Sequence, residues 1–533
     1  MLAVPKHQPH SPPPARPLGT GLREFAVRAF AIDYRSLALF RVTLAAMLLY
    51  DVLGRAMNLR AHYTDWGTLP RAVLVEKHMS DWQWSIHLMS GTWQVQGLLF
   101  LVAAIAAVSL LVGYRTRFAA ITSWVLLTSL HNRNPMVLQG GDFLLRMEIF
   151  WAMFLPLGMA LSVDSARRSP RETLRAAFSW ATAALLLQPV LMHVFSALLK
   201  TGPQWRVDGS AIGIALLIEQ FTTPFGVWAR QFTGVWKVMT PMVVWFEGLG
   251  SLLLFSPVFF APIRLLGIAL LCGMHLGFML CLNVGHFPFV SWISLLPFVP
   301  AEAWDWLGAR PATTKARLAL ARAVETASWL LRRLPPAAPA APTGRIANML
   351  ACGALCLVIG WNLGTIPTFP FALLKPFEKI AQYARLDQRW DMFSPFPLTE
   401  DGWYVIPGKL RDGSEVDLFR NGATEVTFQK PALVSALYPE ERWRKYMMRL
   451  WEKASSDHRL YFGRYLCREW NLNRPPEKLL MSFRLFFILE RITPNLKKDP
   501  PQKTLLWDHQ CFGPNEVLPP LSVTTRAPEQ KGD

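Results

Sequence analysis

Runs of about twenty apolar residues alternate with short polar segments over the first 366 positions, and this pattern predicts membrane-spanning helices. Spans are read at roughly 36–54, 93–113, 117–133, 143–163, 178–199, 238–259, 264–284, 287–301 and 345–366, the third and eighth being short. Beyond 366 the period changes. "DGWYVIPGKLRDGSEVDLF" (401–419) alternates around Asp412-Gly413, as a β-hairpin does. "PEERWRKYMMRLWEKA" (439–454) spaces Trp443, Met447 and Trp451 four apart, which predicts an amphipathic helix. The expected fold is an all-α polytopic membrane protein of about eight or nine transmembrane helices, with a small α+β extramembrane C-terminal domain.

Five segments follow from the pattern. Residues 1–26 form a Pro-rich polar tail, expected to be disordered and cytoplasmic, without the apolar core of a cleaved signal. Residues 27–301 form the membrane body. Residues 302–344 form a basic cytoplasmic linker containing "LPPAAPAAPTG". Residues 345–366 make a last span, and 367–533 the extramembrane domain. No internal repeat is evident.

Composition agrees with a membrane protein. Of the 533 residues 52% are hydrophobic and only 17% charged, against about a quarter charged in soluble domains. The net charge of +18 sits in short loops such as "GYRTR" and "SARRSPRETLR", where it sets topology and does not form a nucleic-acid surface. Alternation of basic loops places the N-terminus inside and the C-terminal domain outside the cytoplasm. Six cysteines are too few and too scattered for a disulfide framework or a metal site. Cys467 and Cys511 lie in the polar tail, where pairing is open if that tail is extracytoplasmic.

Ionisable residues inside apolar runs carry the candidate chemistry, because each costs a few kcal/mol at a helix centre and needs a partner or a purpose (about 2.5–3.5 on insertion scales). Asp51 and Arg55 make an i,i+4 pair, read as a structural charge pair. Glu247 sits mid-span beside Gly248 and Gly250, and His275 lies on an apolar face; each is either a satisfied core residue or a catalytic one. Lys200 ends the span at 178–199, with His193 two turns earlier on nearly the same face. One reading is a lysine snorkelling to the headgroups. The other starts from "TGPQW", which breaks the helix at once, and "RVDGSAIGIALLIEQF", expected to resume as an amphipathic interfacial segment. A lysine desolvated in such a re-entrant pocket is disfavoured as an ammonium and becomes available as a base.

"AIDYRSLALFRVTLAAMLLYD", "GYRTR", "NRNPMVLQGGD", "ALLKTGPQW", "WFEGLGSLLLF" and "MHLGFMLCLNVGHFPFVSW" occur in one order over about 27–300. In this the chain resembles the HTTM (horizontally transferred transmembrane) domain proteins, a family that includes the vitamin K-dependent γ-glutamyl carboxylase. "QRWDMFSPFP" with "DGWYVIPG" resembles the tail of bacterial members, which implies an inner-membrane location. The resemblance implies a lyase-class γ-carboxylase-like enzyme. A reduced vitamin K or menaquinol-type quinol would be oxygenated to an epoxide while a glutamate loses its γ-proton and takes up carbon dioxide. Lys200, five residues before Trp205, matches the base that deprotonates the quinol. The resemblance puts His275 beside the quinone and Glu247 where the family has an acid, so Lys200, His275 and Glu247 are the implied catalytic set. His193, Trp205, His131, Arg133 and His286 would line the substrate and quinone pocket. Arg133 falls near an active-site histidine of the animal enzyme, a departure, since arginine does not shuttle protons. The implied partners are the lipid bilayer, a lipid quinol and a protein or peptide acceptor, with oxygen and carbon dioxide as co-substrates, no metal and no nucleic acid. The alternative is a non-enzymatic HTTM protein that binds lipid or quinone and a partner protein. A transporter ranks third, because only one helix break is visible.

Overall fold

The computed structural model describes residues 18–166, 175–330, 343–513, 515–516 and 518–519. Among the described residues, six helices are long and apolar enough to cross a membrane: Tyr34–Met57, Trp93–Val112, Trp180–Leu199, Thr233–Phe255 (3-10 from Gly250), Phe260–Cys281 and Arg345–Gly364. The other three stretches read as spans contain helices that do not meet that length and hydropathy, so the expected eight or nine spans are not confirmed. Gly140–Ala152 has 13 residues and would cover only about 20 Å. It also carries Asp142, Arg146 and Glu148, all fully buried, so protein and not lipid surrounds it. Thr116–Arg133 ends in buried Ser129, His131, Asn132 and Arg133, and Phe287–Phe298 is too short.

The Trp180–Leu199 helix is the hub of the body. It is 78% buried, whereas Trp93–Val112 and Phe260–Cys281 are 28% and 22% buried and present their remaining surface outward. Around it pack Gly140–Ala152, Thr233–Leu249, Phe287–Leu295 and Arg345–Gly364. Ser179 caps its start reciprocally with Thr182. Its end is held by the chain beyond the last span. Gly202 N–H donates to the Pro395 carbonyl at 3.0 Å, and Trp205 Nε1 to that of Phe393 at 2.9 Å. A Cβ on Gly202 would stand 2.5 Å from the Phe396 ring, so only glycine allows this approach.

Three expectations change. Residues 18–26 belong to a helix, Leu18–Phe30, and not to a tail; residues 1–17 lie outside the described residues. The 302–344 linker is helical over most of its length, in Ala301–Gly308 and Pro311–Leu330, and the Pro/Ala stretch at 331–342 lies outside the described residues. After the break, Ala211–Leu217 is not an exposed interfacial segment, since Ala211, Gly213, Ile214, Ala215 and Leu216 are buried.

The C-terminal region is α+β. Leu480–Arg491 is the central strand of a five-stranded antiparallel sheet, pairing Glu400–Val405 and Pro407–Leu410 along one edge and Gln502–Gln510 along the other. Pro407–Leu410 and Glu415–Asp417 form the hairpin, with Gly413 at φ 87° in its turn. Helices Glu441–Trp451 and His458–Asn471 cover the sheet, and the Cys467–Cys511 disulfide ties the second to the sheet's edge. Their core includes Leu69, Leu74, Met136 and Val137 from the membrane body. The two parts therefore share one packed interior.

Candidate functional site

Helix periodicity puts His193, Ser196 and Lys200 along one face of the Trp180–Leu199 helix and its cap. Lys200 is 3% exposed, so it does not snorkel. Its Nζ donates to Glu247 Oε2 and to Ser196 Oγ, both at 2.6 Å, and lies 5.2 Å from the centre of the Trp205 ring. Glu247, 4% exposed, comes from Thr233–Leu249, and the Ser196 hydroxyl is 3.3 Å from the same carboxylate oxygen. This is a buried ion pair with a bridging hydroxyl and an aromatic face behind the ammonium.

One turn above Ser196, His193 meets His275 from the Phe260–Cys281 helix, with their Nε2 atoms 3.2 Å apart. His193 Nδ1 lies 2.7 Å from the Pro189 carbonyl, which only accepts, so Nδ1 carries the hydrogen. In the neutral pair, His193 Nε2 is then the acceptor and His275 Nε2 the donor. That leaves His275 Nδ1 as a bare lone pair, and it is buried without a hydrogen-bond partner among the described residues. The network assigns a free base to His275.

A second buried cluster surrounds Asp51 and Arg55. Arg55 Nε donates to Asp51 at 2.8 Å, Nη1 to the Tyr63 hydroxyl at 2.7 Å, and Nη2 to Asp142 at 2.5 Å and to His131 Nε2 at 3.2 Å. Arg442, on the C-terminal helix Glu441–Trp451, enters from the other side, bonding Asp51 and, at 3.2 and 3.3 Å, both oxygens of Asp142. His286 Nε2 lies 3.5 Å from Asp142. Two guanidiniums thus neutralise two carboxylates, and the set crosses from membrane body to outer domain. Asp51, Asp142 and His286 bring one ligand atom each within 4.8 Å of one another, the one group here of metal-like spacing inside the body among the described residues. Both carboxylates already accept guanidinium hydrogens, which leaves a metal ion little to bind.

The residues expected in one pocket therefore fall in two places. Lys200, Glu247, His193, His275 and Trp205 converge. His131 and His286 stand instead in the Asp142 cluster, and His131 Nε2 accepts from Arg55, so its lone pair there is occupied. Arg133 joins neither; its Nη1 donates to the Leu69 carbonyl at 2.8 Å, and Nε and Nη2 have no hydrogen-bond partner among the described residues. Phe287 divides the clusters, its ring 5.4 Å from that of His275 and its backbone against Gly141, beside Asp142. Sequence reasoning missed Ser196, Asp142, Glu148 and Arg442. Asp142 and Glu148 were visible as acids in an apolar stretch, and Asp142 had no local cation once Asp51 was assigned to Arg55. Arg442 gave no such signal, since it lies among charges on a helix of ordinary amphipathic pattern.

A family model described as HTTM domain matches residues 30–306. No curated protein and no solved structure matches the chain.

Proposed function

The chain belongs to the HTTM domain family and is a multi-pass membrane protein; from that premise we propose that it is a γ-carboxylase-like enzyme acting on a lipid quinol and a glutamate-bearing acceptor. One observation carries the reading. Lys200 with Glu247 and Ser196, and one turn away His193 with His275, form two bonded polar sets on one helix face inside the membrane body, and His275 Nδ1 has no hydrogen-bond partner among the described residues. A quinol would supply what His275 lacks, since a phenolic O–H is the donor that a bare buried imidazole nitrogen calls for. When bound, the quinol would supply the oxygen-driven chemistry in which quinol, oxygen, carbon dioxide and glutamate give epoxide, water and carboxylated product.

The chain's own residues then have separate tasks. His275 Nδ1 accepts a proton, and Nε2 holds the ring against His193, whose orientation is fixed by the Pro189 carbonyl. Lys200 is not an isolated amine. It acts together with Glu247, which holds its Nζ at 2.6 Å and stands at bonding distance to exchange a proton with it. With the proton left on Lys200, the ammonium and the Ser196 hydroxyl steady a developing oxyanion instead. The basic-loop alternation and the Cys467–Cys511 disulfide support placing the N-terminus inside and the C-terminal domain outside the cytoplasm.

The test is purified protein given a reduced naphthoquinone or menaquinol, oxygen and bicarbonate. Epoxide forms with the wild type and is lost in Lys200→Ala. Unchanged epoxide in the variant removes Lys200 from the chemistry. No epoxide from the wild type with any of these quinols favours the alternative, a membrane module that binds lipid and a partner.

A further inference from the structure

Beyond the Arg345–Gly364 span the chain turns back on the span's last turn. A Cβ on Gly360 would stand 2.9 Å from Leu373 and 3.5 Å from the Phe371 ring, and one on Gly364 would stand 3.5 Å from the Phe371 carbonyl oxygen. Residues 371–373 therefore run beside 360–364. The helix that follows, Lys375–Tyr383, starts at the depth of the span's final turn, about 6 Å before its end.

That helix is two-sided. Leu374, Phe377, Ile380 and Tyr383 occupy one half, and Lys375, Glu378, Lys379 and Gln382 the other. On the apolar half Ala381 is buried in the core of the body, but Leu374, Phe377, Ile380 and Tyr383 are 69%, 46%, 50% and 57% exposed. A helix of nine residues is marginal by itself, and its stability has to come from what its apolar face meets. Its far end is tied to the loop that opens the Trp93–Val112 span. Trp84 Nε1 donates to the Tyr383 carbonyl at 2.9 Å, and Lys379 Nζ stands 5.0 Å from the centre of the Trp82 ring. Trp82 and Trp93, the latter the first residue of that span, are themselves exposed. Tryptophan and tyrosine gather at span ends, where headgroups meet acyl chains.

We propose that Lys375–Tyr383 lies flat in the lipid interface on the side of the C-terminal domain. Its apolar half rests among the upper acyl chains, continuous with the lipid-facing span beside it, and Lys375 and Lys379 stand level with the lipid phosphates. Two lysines against one glutamate on the polar half suit that layer. The seat bears on the candidate site, because the chain passes from this helix directly into the body. The carbonyls of Arg385 and Asp387 accept from Arg146 at 3.1 and 3.2 Å, and Phe393 and Pro395 then close the break after Lys200. Lipid thus holds one end of the segment that closes the site. The inference does not depend on Lys200 or on any quinol activity.

The experiment photolabels the full wild-type chain in phosphatidylglycerol nanodiscs that contain a phospholipid with a diazirine either near its headgroup or at its acyl terminus. Adducts are mapped by peptide mass spectrometry. The peptide holding 374–383 is expected to be labelled by the shallow diazirine and not by the terminal one, whereas the middle of Trp93–Val112 takes the terminal one. Phe377→Glu with Ile380→Glu should cut the shallow adducts on that peptide about tenfold, the scale of withdrawing one large apolar side chain from lipid, and leave the span adducts unchanged. The depth pattern of the wild type decides the matter if the double variant does not fold. Equal labelling of the peptide by both diazirines would overturn the flat seat. So would labelled spans beside an unlabelled peptide, which means that water or another protein covers the face, and so would unchanged adducts in a folded double variant.

Discussion

The Lys200–Glu247 pair offers a perturbation whose structural and chemical consequences separate. Both groups are almost fully buried, and the 2.6 Å contact satisfies each with the other. Glu247→Leu strands a buried ammonium that keeps only the Ser196 hydroxyl and the face of Trp205. Lys200→Met strands a buried carboxylate that keeps only the same hydroxyl. Each single change should cost about 3–5 kcal/mol, because the partner left behind pays its desolvation without compensation. The double variant Lys200→Met/Glu247→Leu removes both charges in favour of apolar groups of similar size, so it should return to within about 2 kcal/mol of the wild type. Additive losses would instead total about 6–10 kcal/mol. Thermal unfolding of the four proteins in one detergent reads the difference directly, with the single variants lower by on the order of 5 °C or more. A double variant as unstable as the sum of its parents would refute the buried-pair account. Quinol epoxidation measured on the same four samples then isolates the chemistry. Recovered stability with absent epoxidation is the result expected of a catalytic pair, and recovered activity would reduce Lys200 to a structural role.

Two further outcomes concern the C-terminal domain. Burial, helped by Arg449 on the same helix, pushes the Lys445 ammonium down to about 8 from the free value of 10.5. Between those values the unfolded chain binds more protons than the folded one, so stability rises with pH through that window. Lys445→Met should therefore be more stable than the wild type near pH 7, with the gap closing as pH rises from about 8 to above 10.5; a gap independent of pH would refute the assignment. The Cys467–Cys511 bond closes a separation of 44 residues, and by chain entropy its loss in Cys511→Ser should cost about 4 kcal/mol. Limited proteolysis should then cut the His458–Gln510 region first, and protection equal to the wild type would argue against it.

The helical body and the α+β tail were legible because periodicity reports burial, and burial decides both. The span count was not, and Gly140–Ala152 shows why. An apolar run with Asp142, Arg146 and Glu148 reads as a costly membrane helix, whereas the protein pays no lipid cost by wrapping that helix in others. The break after Lys200 was plain from Gly202 and Pro203. What the residues could not reveal is that Pro395 and Phe393, some 190 positions later, close it. Spacing along one helix aligned His193 with Lys200, and only the neighbouring helices supplied Glu247 and His275 at bonding distance. The division of the expected pocket had no one-dimensional signal, because it depends on Phe287 packing its ring on His275 and its backbone on Gly141.

Arg442 gives the outer domain a role in the membrane body that its sequence did not advertise. Asp51 and Asp142 carry two negative charges, and Arg55 alone supplies one positive charge inside the body. The second comes from a helix about 390 residues beyond Asp51. Without the C-terminal domain the body would hold an unbalanced buried carboxylate, which is the costly half of a broken pair. The membrane body is therefore complete only when the outer domain is docked, and the shared core of Leu74, Met136, Tyr446 and Met447 fixes that docking. Arg442→Met should then lower stability by about 3–5 kcal/mol in thermal unfolding, and a midpoint equal to the wild type would refute the charge balance.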